Sequence, residues 1–129
     1  MVKKETLVVK LNTLSGEIEK EYTILIGQNA KQNTELIKES DPDDLWFHLE
    51  KESSCFVILK NNGDYIDKEY IKQVASKLYK YKKKHNLDNI IYTQVKNVRV
   101  TTTPGLVVPS NITVINYVKL KKYLLEENP

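Results

Sequence analysis

Asp41-Pro42-Asp43-Asp44-Leu45-Trp46-Phe47-His48-Leu49 reads as a strand entered through a turn. It holds the only tryptophan of the chain, one of its two histidines and three carboxylates. Successive side chains of a strand point to opposite faces. Leu45, Phe47 and Leu49 therefore make a buried apolar face, and Asp44, Trp46 and His48 share the other. An acid, a large flat ring and an imidazole in a row admit two readings. In the first they are structure: Trp46 lies in the core, His48 bonds Asp44, and Asp44 caps the turn after Pro42. In the second they form a ligand site.

The flanks of this stretch place it in an α+β domain. Residues 5–12 and 17–26 alternate like the arms of a hairpin, with Ser15-Gly16 as the turn signal. The charged run from Glu17 to Glu21 predicts that its outer part projects into solvent. Gly27 ends the return strand, and Asn29 is placed to cap a short helix with Ala30, Asn33, Leu36 and Ile37 on one side. Cys55 to Leu59 is a continuous apolar run, as in a central strand covered on both faces. Asn62-Gly63-Asp64 is a turn.

Residues 67–85 give the clearest helix. Ile71, Val74, Ala75, Leu78 and Tyr81 form its apolar stripe, Asp67 caps it, and Lys82-Lys83-Lys84 and Asn86 suit its end. A strand over 89–93 follows, then Gln94 to Arg99, polar at alternate places. Pro104-Gly105 is a type II turn signal. Residues 106–108 and 112–118 read as further strands, and 119–129 as a frayed tail with room for a brief helix. The expected architecture is a mostly antiparallel sheet of about six to seven strands with one long and one short helix.

Composition bounds the function. A chain of 129 residues with 40% hydrophobic and 29% charged residues fits one soluble domain with a core of its own. The single cysteine, Cys55, allows no internal disulfide and suits a reducing, cytoplasmic setting. No apolar run has the length of a signal or membrane segment, so the sequon at Asn111 is expected to be idle. Net charge is only +3, but it is unevenly placed: Lys68 to Lys84 holds seven lysines against one acid, Glu69. That run is either a solvated face or a phosphate-attracting one.

Catalysis and cofactor chemistry find little support. Cys55 lies in an apolar run with only His48 and His85 as candidate bases. No histidine or cysteine pair has metal-ligand spacing, and the carboxylates at 41, 43 and 44 also fit a capped turn. No glycine-rich phosphate loop occurs. No enzyme activity, metal, cofactor, small-molecule substrate or membrane contact is therefore expected. An aromatic and imidazole strand, amide-rich loops and the Lys96 and Arg99 pair are instead parts used to bind RNA.

Four segments, in order, resemble the NFACT-R domain, the RNA-binding module of the NEMF/RqcH ribosome quality control factors. Gly27 to Asn33 is similar to its G-[RK]-N-x-x-[QE]-N segment, and Asp44 to His48 to its D-x-[WY]-x-H signature. Tyr92 to Arg99 resembles Y-T-x-x-K-N-V-R, and Pro104 to Val107 resembles P-G-x-V. The resemblance covers about residues 22–118 and implies a stand-alone single-domain member over 1–129, similar to the short eukaryotic coiled-coil-domain relatives. It implies a non-catalytic module that contacts tRNA or the large ribosomal subunit in translation or ribosome quality control.

On that reading Lys31, Lys96 and Arg99 contact phosphates, and Gln32, Asn33 and Asn97 contact base edges or sugars. Trp46 or His48 stacks on or hydrogen-bonds a nucleotide, beside Asp44. Three departures remove polar groups: Cys55-Phe56 follows Ser54 where the family has G-S-H, Val100 follows Arg99, and Gln28 follows Gly27. They motivate the alternative of a protein-binding adaptor with the same fold and weak or no RNA affinity.

Overall fold

The computed structural model describes residues 2–81 and 88–127. The lysines at 82–84, His85 and Asn86, to which the sequence assigns a helix end, lie outside the described residues.

Strands β1 (Lys3–Thr13) and β2 (Gly16–Ile26) form the expected hairpin, closed by Leu14 and Ser15. Its outer half is exposed, including Glu17, Glu19 and Glu21. Helix α1 (Ala30–Glu39) begins at Asn29, whose side chain accepts from the Gln32 N–H. Strand β3 (Leu45–Leu49) is the opening stretch. Strand β4 (Val57–Leu59) is shorter than the apolar run predicts, because Cys55 and Phe56 precede the paired residues. Helix α2 (Lys68–Lys80) is capped by Asp67 as expected.

Strand β5 (Ile90–Gln94) passes through a 3-10 turn, Val95–Asn97, into β6 (Val98–Val100). Strand β7 (Val107–Pro109) pairs with β6 in a separate hairpin. Strand β8 (Thr113–Ile115) is followed by α3 (Tyr117–Glu127). The expected strand over 112–118 is thus shorter, and the brief helix expected in the tail is longer and starts earlier, at Tyr117. Two things make it so: the Asn89 carboxamide oxygen accepts from the Tyr117 N–H at the helix start, and Leu120 and Tyr123, one turn apart, are buried.

The main sheet runs β1-β2-β4-β3-β5-β8, and every pair is antiparallel. Its two faces carry separate cores. On one, Phe47, Leu49, Val57, Leu59 and Ile90 pack under α2 and α3. On the other, Trp46, Ile58 and Ile91 pack with Leu36 and Ile37 of α1 and with Val95 and Val98. The alternation in β3 is therefore as expected, but both of its faces are covered, not one.

Glu5 and Glu69 tie the first core together from outside. Glu5 of β1 receives Lys77, Lys80 and the Tyr81 hydroxyl of the α2 end. Glu69 of α2 receives Lys72, Lys122 and the Tyr123 hydroxyl of α3. The lysine-rich face of α2 is thus partly neutralised: Lys72, Lys77 and Lys80 all have carboxylate partners.

Candidate functional site

Trp46 does not face a ligand directly. It is 1% exposed and belongs to the core under α1. Truncating so buried an aromatic costs about 3–5 kcal/mol, which places it with structure. His48, two residues along on the same face, stacks on it with ring centroids 5.6 Å apart and planes 7° from parallel. Phe56 meets both rings edge-on. The His48 Nδ1–H donates to the Leu49 carbonyl at 2.7 Å, which fixes the ring's orientation. His48, half-buried, is therefore the more accessible ring of this cluster, and Trp46 the buried one. His48 is not bonded to Asp44 in the way the sequence suggests as one reading.

Asp44 is wholly buried. Its carboxylate accepts from the Asp41 N–H at 2.9 Å, the Asn62 N–H at 2.9 Å and the Lys60 ammonium at 3.0 Å. These bonds hold the turn at 41–44 against the turn at 61–64, so Asp44 has no edge left for RNA. The capped-turn reading of the three aspartates describes this structure.

The segment Gly27 to Asn33 is also largely architectural. Asn33 is buried and its side-chain oxygen accepts from the Phe56 N–H at 3.1 Å. Gly27 donates its N–H to the Phe56 carbonyl at 2.9 Å. A Cβ on Gly27 would stand 2.2 Å from the Asn33 side-chain oxygen, so only glycine fits. Gln32 accepts from the Gln28 N–H at 2.9 Å while donating its own N–H to Asn29. This reciprocal pair closes the start of α1 much as a capping box does.

Asn97 donates to the Thr93 hydroxyl at 3.0 Å, and its carbonyl accepts from Ser110. Asn33, Asp44 and Trp46 are therefore buried in the fold, while Gln32 and Asn97 are half-buried and each makes a side-chain bond within it. The Trp46 Nε1–H has no partner among the described residues.

The three cations among the candidates are on the surface. Lys31 in the first turn of α1 and Arg99 on β6 are exposed, with no ion pair among the described residues. Their elements pack on each other through Leu36, Ile37 and Val98. Lys96 is exposed and pairs with Asp43 at 3.1 Å. An exposed pair of this kind contributes 0 to about 1 kcal/mol, so it yields readily to a phosphate.

A groove of about 700 Å³ lies beside His48. Trp46, His48, Phe56 and Ile91 line it from the sheet, Gln28 to Ala30 from the start of α1, and Pro104 to Val107 from the β6–β7 hairpin. Gly105 makes this convergence possible. Its φ is +79°, and a Cβ there would come within 2.9 Å of the Ala30 Cβ. Its N–H donates to the Thr34 hydroxyl at 2.7 Å, docking the hairpin tip on α1.

Residues 50–55 complete the groove. The Asp88 carboxylate anchors them by accepting from the Lys51 and Glu52 N–H groups at 2.7 and 3.0 Å. In the sequence Glu50 to Glu52 reads only as a charged turn and nothing singles out Asp88, because an exposed charged turn carries no periodic signal. Cys55 also lines the groove and is half-buried. Burial pushes its thiol up to about 11, which disfavours the thiolate at neutral pH.

This is an α+β domain with helices on both faces of an antiparallel sheet and one face opening into a groove. The chain belongs to the NFACT protein RNA binding domain family, whose profile matches residues 13–112. Coiled-coil domain-containing protein 25 of Bos taurus is 36% identical over 88 residues, covering 62% of this chain and 42% of that protein. The Danio rerio protein of the same name is 33% identical over 95 residues, covering 67% and 45%. The chain thus spans less than half the length of these relatives. The C-terminal structure of a fibronectin/fibrinogen-binding protein from Streptococcus suis is similar with a TM-score of 0.66 and 25% identity, over 74% of this chain and 40% of that one.

Proposed function

We propose that this chain is a non-catalytic RNA-binding module that takes a structured RNA of translation, tRNA or ribosomal RNA, in the cytoplasm. Membership of an RNA-binding domain family supports the RNA class. The observation that carries the reading is the pair of exposed cations on adjoining elements, Lys31 on α1 and Arg99 on β6, with no ion pair among the described residues. Lys96 joins them once RNA displaces Asp43. Cations of this kind neutralise backbone phosphates and release counterions, which makes affinity salt-dependent.

The test is fluorescence anisotropy of labelled tRNA, a single-stranded RNA and a duplex DNA at several salt concentrations. The wild-type chain should bind tRNA or single-stranded RNA more tightly than duplex DNA. Lys31→Ala with Arg99→Ala should weaken binding and lower the slope of log affinity against log salt by about 1 to 2. Unchanged affinity and slope would remove both residues from the interface. Equal weak binding of all three nucleic acids would overturn the RNA reading.

A further inference from the structure

The groove beside His48 and the cations assigned to RNA divide the chemistry between them. Lys31, Lys96 and Arg99 are not among the lining residues. Of the charged side chains that are, Glu50 and Lys51 offset each other, and Glu52 has a partner of its own. A phosphate or a charged side chain therefore gains little by entering. An uncharged, flat group gains more. The half-buried His48 ring and Ile91 line the groove from the sheet, and Pro104 and Leu106 from the β6–β7 hairpin. The exposed Gln28 side-chain amide, with no bond of its own among the described residues, supplies a donor and an acceptor at the start of α1. The volume of about 700 Å³ lies in the range of sites for small organic molecules, which includes a nucleobase with its sugar.

Two of the cations border this space. Ala30 lines it, and Lys31 follows in the first turn of α1. Val107 and Pro109 line it too, and Val108 between them is in register with Arg99. Val98 and Val107 pack in the core under α1. Successive strand residues face opposite ways, so Arg99 and Val108 turn outward, and both are exposed. Charge outside the groove and neutral, apolar walls inside it match the two halves of a nucleotide, its phosphate and its base.

We infer that the groove receives one unpaired base of the bound RNA while the flanking phosphates lie on Lys31 and Arg99. The base packs between the His48 ring and Leu106, and the Gln28 amide bonds its edge. A base inside a duplex is excluded, because its edge is paired and its faces are stacked. The inference rests on the RNA-binding reading and adds that the module selects RNA by an unpaired nucleotide.

The test uses three RNAs of one sequence: a perfect duplex, the duplex with one bulged adenosine, and the bulged duplex with an abasic residue in place of that adenosine. The abasic form keeps every phosphate and removes only the base. The chain should bind the bulged RNA about five- to a hundredfold more tightly than the abasic one. The two should share one salt slope, because their phosphate contacts are the same. The Trp46 indole resonance of 15N-labelled protein reports on the groove, since the only tryptophan of the chain lines it. The bulged RNA should shift that resonance, and the abasic RNA should not.

Leu106→Asn, at a position 57% exposed, and Gln28→Ala should each shrink the bulged-to-abasic ratio. Both should leave affinity for the abasic RNA as in the wild type, which shows that the variants are folded. Equal affinity for bulged and abasic RNA, or an equal Trp46 shift with both, overturns the inference and leaves the RNA reading on its cations. A Trp46 shift with an acetylated leucine–serine peptide, where the bulged RNA gives none, overturns it by assigning the groove to a protein. Failure to bind any of the three RNAs or tRNA sinks the RNA reading itself, and this inference with it.

Discussion

His48 is the lid of Trp46. The two rings lie parallel with centroids 5.6 Å apart, and both residues line the groove, the indole 1% exposed and His48 half-buried over it. His48→Ala should therefore uncover the indole. The expected result is a red-shifted tryptophan emission and a stability loss of about 0.5–1.5 kcal/mol from the aromatic pair. Emission spectra and urea unfolding measure both, and an unshifted spectrum would show that the indole is shielded by other groups.

Gly27 and Asn33 form a coupled pair. Alanine at Gly27 places a Cβ 2.2 Å from the Asn33 oxygen, which must then release the Phe56 N–H. Leaving that buried donor unmatched costs about 1–3 kcal/mol. Asn33→Ala removes the same bond and also makes room at 27. The double variant should then be destabilised by clearly less than the sum of the two single variants. Additive losses in chemical denaturation would show that the two positions act independently.

Asp44→Asn keeps the shape of a buried acceptor but removes its charge opposite Lys60. The loss expected is about 1.5–3 kcal/mol, the range of hydrogen bonds to charged groups. RNA affinity of the folded fraction should be unchanged, because the carboxylate already has three protein partners. A selective loss of RNA affinity at full stability would return Asp44 to the interface.

Acid should loosen the helices on the α2 face of the sheet. The Tyr123 hydroxyl and Lys122 hold the Glu69 carboxyl down at about 2, from an ordinary value of 4.5. Burial acts to raise the Glu5 carboxyl, but Lys77 and Lys80 outweigh it and hold it below 4.5. A carboxyl lowered in the folded state contributes its full stability above its unfolded value. That contribution is lost as pH falls from about 4.5 toward 2. Wild type should lose stability across this window more steeply than Glu69→Gln, which lacks the contribution at every pH. Parallel curves in thermal unfolding against pH would refute the assignment.

Local signals carried much of the architecture. The β1–β2 hairpin, the caps at Asn29 and Asp67, the stripe of α2 and the alternation of β3 are all decided by neighbours a few residues apart. Helix α3 was less legible. Its first N–H is capped by Asn89 and its buried side chains pack on α2, and both partners are remote in sequence.

Among the candidate site residues the sequence determined which groups were polar, flat or charged, and the resemblance of four ordered segments led to the family. It did not determine which of those groups remain accessible. Asn33 finds its acceptor role at Phe56, Asp44 at Lys60 and Asn62, and Asn97 at Thr93 across the 3-10 turn. A buried polar atom must be matched whatever its family role, and the match is made in space. Tertiary structure therefore left Lys31, Lys96 and Arg99 exposed, kept Gln32, His48 and Asn97 half-buried, and buried Asn33, Asp44 and Trp46. It also assembled the groove, because only folding brings the start of α1, the Gly105 turn and the 50–55 loop around the His48 ring.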